Sequence, residues 1–166
     1  MGKGNAKTMP DHALRAQLAA VLAWEDAHVG FDRAVAGVPV ELRGRVPKGA
    51  PHSLWQLVEH LRLAQRDILE FCTDATYKER RWPDDYWPVD PAPPSARAWS
   101  TSIRGHNQDR AALQALAANR SIDLFARIPH GSGQTYLREL FLVADHAAYH
   151  IGQIIVVRRM LGVWAS

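Results

Sequence analysis

The chain has 166 residues, 47% of them hydrophobic, and a formal net charge of +3 at neutral pH. That length supports one compact domain with a real core rather than two. The small basic excess lacks any zinc-finger, helix-turn-helix or aromatic-basic signature, which argues against nucleic acid as a partner. A single cysteine, Cys72, excludes an intramolecular disulfide framework and fits a reducing, cytoplasmic setting. No apolar run approaches the roughly 20 residues that span a bilayer, so no membrane is expected.

Residues 1–10, MGKGNAKTMP, lack the apolar stretch of a signal peptide and read as a disordered N-terminal tail, leaving 11–166 as a single helical domain. The first helix is expected over Asp11–Val35, with Asp11 as N-cap and Leu14, Leu18, Val21, Leu22 and Phe31 turned inward, before Gly37 and Pro39 end it. The second opens at HSLWQ, where Ser53 and Gln56 have capping-box spacing. It carries Leu54, Leu57, Leu61, Ile68 and Phe71 as an apolar stripe to about Cys72, itself read as a buried small hydrophobe. A third helix follows DPAPPS, with Ser95 as N-cap and Ile103, Leu113 and Leu116 inward. A fourth follows HGSGQT, with Thr135 as cap, and stops at Gly162.

Strand-type alternation is nowhere sustained, so the expected fold class is all-α, a four-helix bundle. Tight neighbours in such bundles need only about 2–8 connecting residues, whereas the second and third helices are separated by about twenty. A linker that long can cross the bundle over its length. It contains WPDDYWP, in which Trp82, Tyr86 and Trp87 supply large areas to bury. The segment is either an ordered strap over the core or the lid of a pocket.

In the fourth helix the stripe Val143, Ala147, Ile151, Ile154 and Val157 has His146 and His150 within it. Residues four apart share a helix face, so two imidazoles can aim at one point and a metal ion can satisfy both. Metalloprotease helices with this spacing carry Glu directly after the first His; Ala147 stands there, which excludes that reading. His60, on the stripe of the second helix, is the natural third ligand. His52 lies eight residues earlier, about 12 Å along the axis, too far to reach the same ion, and is assigned to the start of the helix. His28 could line the same cavity, whereas His12, His106 and His130 are expected to be exposed.

The segments HSLWQLVEHLRLAQRDILEFC, WPDDYWP and DHAAYHIGQIIVVRRMLGVW, in that order, resemble the DinB/YfiT-like four-helix bundles, from about Pro51 to Trp164, with the first helix matching loosely. The resemblance implies a long crossover between the second and third helices. It also implies a divalent metal, zinc or nickel, held by one His of the second helix and an H-x-x-x-H pair of the last. By motif these are His60, His146 and His150. Relatives implied by it include thiol transferases and isomerases using bacillithiol, mycothiol or glutathione, alongside many with no known activity.

Three protein ligands leave a coordination position open, as in catalytic rather than structural zinc sites. The leading expectation is a metal-dependent transferase joining a low-molecular-weight thiol to a small electrophile. A metal-dependent hydrolase and a non-catalytic metal-binding stress-response protein are the alternatives, and a homodimer is compatible with each. His28, Gln56, Trp87, Tyr149 and Gln153 are candidates to line the pocket or support the ligands. Glu139 and Asp67, two turns from the histidines, are the acid–base candidates.

Overall fold

The computed structural model describes residues 8–164 and contains five α-helices: α1 (Thr8–Val21), α2 (Phe31–Val35), α3 (Leu54–Thr73), α4 (Ala96–Ala118) and α5 (Tyr136–Met160). Single 3-10 turns occur at Val40–Leu42 and Asp84–Tyr86. Among the described residues the only extended pairing is the isolated bridge between Arg127 and Thr135, so the fold is all-α. The expected disorder of the tail concerns, for 1–7, residues outside those described; 8–10 already belong to α1.

The expected first helix is two helices. α1 packs on α4 and α2 packs on α5, so one straight rod over Asp11–Val35 could not serve both neighbours, and the chain breaks at residues 22–30. Asp11 accordingly lies inside α1 rather than at its cap, where it accepts a hydrogen bond from Arg15 Nε at 3.0 Å. Leu18, Leu22 and Phe31 are buried as expected, whereas Leu14 and Val21 are half-buried. Arg15 is itself buried and donates to the carbonyls of Ala117, Asn119 and Ile122, satisfying groups that the C-terminus of α4 leaves unpaired. Arg158 of α5 does the same for Ala34 and Val163.

The other boundaries follow their local chemistry. Ser53 and Gln56 form the capping box of α3, Ser95 accepts from the Ala98 amide, and Thr135 accepts from that of Arg138. Gly162 has φ 73°, the left-handed conformation that ends a helix at lowest cost for glycine. Tethers hold the long connection from 74 to 95 against α3, with Gln56 Nε2 donating to the Pro88 carbonyl at 3.1 Å and Ser53 Oγ to that of Pro91. Tyr86 of this strap is buried, and its hydroxyl donates to Asp67 at 2.7 Å. Trp82, expected to bury, is 69% exposed.

α3 packs against both α4 and α5, and the core divides into two apolar clusters. One joins α2, the first half of α3 and the second half of α5 around Leu54, Leu61, Trp99 and Ile154. The other joins α1, the ends of α3 and α4 and the first half of α5 around Leu18, Leu113 and Leu140. Between them lies a belt of buried polar residues that includes His60 and His150 and, on α4, His106. By length and composition α5 would pass for a membrane-crossing helix, which the short apolar runs had not suggested. In the fold one side of it joins both apolar clusters through Leu140, Val143, Ile151, Ile154 and Val157, with Glu139, His150 and Arg158 buried.

Candidate metal centre

His60 from the middle of α3 and His146 and His150 from α5 converge at the junction of the two apolar clusters. His60 Nε2 lies 3.0 Å from His146 Nε2 and 3.1 Å from His150 Nε2, and the three ligand atoms fall within 4.8 Å of one another. Metal–nitrogen bonds of about 2.0–2.1 Å at a tetrahedral angle place ligand nitrogens about 3.3 Å apart. The cluster therefore needs only a small outward adjustment to hold an ion. His60 is 1% exposed, His150 is buried and His146 is half-buried, with the exposed Tyr149 between them in sequence.

Hydrogen bonds at the far side of two rings decide what their Nε2 atoms are. His60 Nδ1 lies 2.9 Å from the Tyr86 carbonyl, which can only accept, so Nδ1 carries the proton. His150 Nδ1 lies 2.6 Å from Gln153 Oε1, again an acceptor. Both Nε2 atoms are then bare lone pairs facing each other at 3.1 Å with no proton to share. That arrangement is repulsive until a cation stands between them, and a carbonyl behind each imidazole is the usual support of a metal-bound histidine. Burial lowers the imidazole of His60 to about 3 and that of His146 to about 4, and shifts His150 the same way. All three are neutral near pH 7, the form that ligates.

The strap forms one wall. Trp87 stacks on His60 with ring centroids 3.7 Å apart and an interplanar angle of 5°. His52 stacks on Trp87 at 4.0 Å, so His52 contributes through an aromatic stack that its sequence position did not reveal. Gln56 closes the cap of α3 and tethers Pro88, the residue after Trp87. Tyr149 stands edge-on to His150 at 4.9 Å. His28 is exposed, bonded to its neighbour's carbonyl, and lines a cavity to which none of the trio contributes.

Asp67 accepts from Tyr86 and Tyr77 and pairs with Arg80, and Glu139 pairs with Arg138. Neither joins the metal cluster. Cys72 is buried, and burial, with Glu139 nearby, pushes its thiol up to about 12. His12 and His130 are exposed as expected. His106 is not: it is 2% exposed, a correction to the polar-face reading. Its neighbours Gly105, Asn107 and Gln108 disguised it, because its burial comes from Phe31 and α3 rather than from its own helix.

A family model described as DinB superfamily matches residues 15–154, which include all three histidines. The chain belongs to the DinB superfamily. No curated protein and no solved structure matched it. The match takes in the second half of α1 and all of α2, and runs through the resembling segments as far as residue 154.

Proposed function

We propose that this DinB protein is a metal-dependent transferase that joins a low-molecular-weight thiol, bacillithiol, mycothiol or glutathione, to a small electrophile, with zinc or nickel as the ion. The observation that carries the reading is the pair of unprotonated Nε2 atoms held face to face by Tyr86 and Gln153, with His146 completing three ligands on a half-buried side. A divalent ion held by three protein ligands supplies a free position and the charge that lets an added thiol lose its proton near neutral pH.

The chain's own groups prepare that step. Tyr86 and Gln153 fix the imidazole tautomers, Trp87 keeps water from one face of His60, and the half-buried side at His146 admits both substrates. The thiol proton leaves to solvent, the sulfur forms a bond to the electrophilic carbon, and the leaving group departs with its electron pair. Cys72, whose thiol stays protonated at about 12, is not the nucleophile, so the sulfur comes from a cosubstrate. Hydrolysis is less well supported because the two acid–base candidates, Asp67 and Glu139, are engaged with Tyr86 and Arg138 rather than aimed at a water.

The test is conjugation of a fluorogenic electrophile with each thiol in turn. Acceleration should need the metal, vanish in His150→Ala and persist in Cys72→Ala. A metal-loaded protein that accelerates none of the three thiols above the free-metal background would overturn the reading.

A further inference from the structure

α5 gives one side to the core and leaves another without a partner. Five of the eleven large apolar side chains left exposed among the described residues belong to it: Phe141, Leu142, Tyr149, Val156 and Met160, with Tyr149 63% exposed. At about 100° per residue these five share an arc of about 100° with Asp145, Gly152 and Arg159, which are exposed as well. His150, Ile154 and Val157 lie on the other side of the helix and are buried.

Two observations say what covers the exposed arc. The first is Gly152, near its middle. Glycine inside a helix costs about 1 kcal/mol relative to alanine, yet a Cβ at this position would meet nothing within 4 Å. The packing of the chain on itself does not call for a glycine there, whereas close approach of a second backbone does. The second is charge. Asp145 stands seven residues before Gly152 and Arg159 seven after it, so each lies about 10.5 Å along the axis from the glycine, in opposite directions. A twofold axis perpendicular to α5 and level with Gly152 sets each residue against the one equally far beyond the glycine. Asp145 then faces Arg159 of the second copy, Ala148 faces Val156, and Phe141 comes within one turn of Met160. A parallel arrangement would set Asp145 on Asp145 and Arg159 on Arg159, which like charge disfavours.

We propose that α5 packs antiparallel against α5 of a second copy of this chain, forming a twofold dimer centred on Gly152 with two Asp145–Arg159 pairs flanking an apolar seam. Such a contact uses the same surface on both chains and closes at two. The five apolar side chains leave on the order of 100 Å² each in water. Two copies therefore cover about 1,000 Å² of them, the area a specific interface has to reach. Apolar hollows flank α5, one walled by Trp24 and Phe141 and the other by Pro51, Val156 and Met160; they give the ridge of the second helix grooves to enter. The dimer does not depend on the thiol chemistry proposed above.

Sedimentation equilibrium of the purified full chain should give twice the chain mass at micromolar concentration. Asp145→Arg and Arg159→Asp should each raise the dimer dissociation constant at least tenfold. The double variant, which restores opposite charges across the axis, should recover most of that loss. Gly152→Glu should be monomeric with its helical circular dichroism intact, because the new Cβ meets nothing in its own chain. In the Cys72→Ala background, Gly152→Cys should give a disulfide-linked dimer on mild oxidation, whereas Val89→Cys, 93% exposed on the strap, should not. A wild-type chain that is monomeric at every concentration, a double charge variant no tighter than the single ones, or equal crosslinking by the two cysteine variants would each overturn the proposal. The wild-type mass is read without any variant having to fold.

Discussion

Acidification should destabilise the metal-free protein, and His106 alone should account for about 2 kcal/mol of the loss between pH 7.5 and pH 5. Burial lowers its imidazole from 6.5 to about 4. The unfolded chain takes up a proton as pH falls through 6.5, while the folded ring refuses it until about pH 4. The contribution to stability is therefore complete above 6.5 and is lost across the window from 6.5 down to about 4. At about 1.4 kcal/mol per unit, the loss is about 3 kcal/mol over the whole window and about 2 kcal/mol by pH 5. His60 and His146 shift in the same direction and add their own losses, so the His106 share is isolated by difference. Urea unfolding followed by far-UV circular dichroism, on wild type and His106→Leu in chelator at the two pH values, gives that difference. The variant is less stable at every pH, having lost the stack on Phe31, but its decline on acidification should be smaller by about 2 kcal/mol. Equal declines in the two proteins would refute the assignment of His106 as a buried neutral imidazole.

His60→Ala, His146→Ala and His150→Ala should each remove stoichiometric metal, measured by elemental analysis after dialysis, whereas His52→Ala should retain it. Gln153→Ala should weaken metal binding by about 10–100-fold without unfolding the protein, because it frees the far side of His150; competition with a chromophoric chelator reads this directly. Chelator should leave the helical circular dichroism in place, since both apolar clusters are complete without an ion; collapse of the spectrum would make the site structural. Trp87→Ala should cost about 2 kcal/mol in thermal or urea unfolding, below the 3–5 kcal/mol of a fully buried tryptophan, because Trp87 is half-buried between His52 and His60.

What the sequence made legible was local. Ser53, Gln56, Ser95, Thr135 and Gly162 mark their helix ends through short-range hydrogen bonds and backbone preference, and the structure places each at that role. The metal trio was legible for a related reason: two histidines one turn apart on an apolar stripe can be counted from the chain, and His60 interrupts a second stripe. What was hidden depends on partners distant in sequence. The break between α1 and α2 follows from packing on two different helices, α4 and α5, and the stretch from Leu22 to Gly30 contains no proline to announce it. His106 sits among polar residues of α4 and is buried by Phe31 from another helix. In the strap, composition could not separate Trp82 from Trp87; the tethers of Pro88 and Pro91 to α3 hold Trp87 stacked on His60, whereas Trp82 meets that ring only edge-on.

The central claim is that three histidines hold a divalent ion with a position free for a thiol that the protein does not itself supply. Cobalt(II) loading followed by titration with bacillithiol, mycothiol and glutathione tests it most directly, because a thiolate joining cobalt adds a charge-transfer band to the near-ultraviolet spectrum. The account predicts that this band rises to saturation with at least one of the thiols in wild type and in Cys72→Ala, and is absent in His150→Ala. A cobalt protein whose spectrum is unchanged by all three thiols at saturating concentration would contradict it.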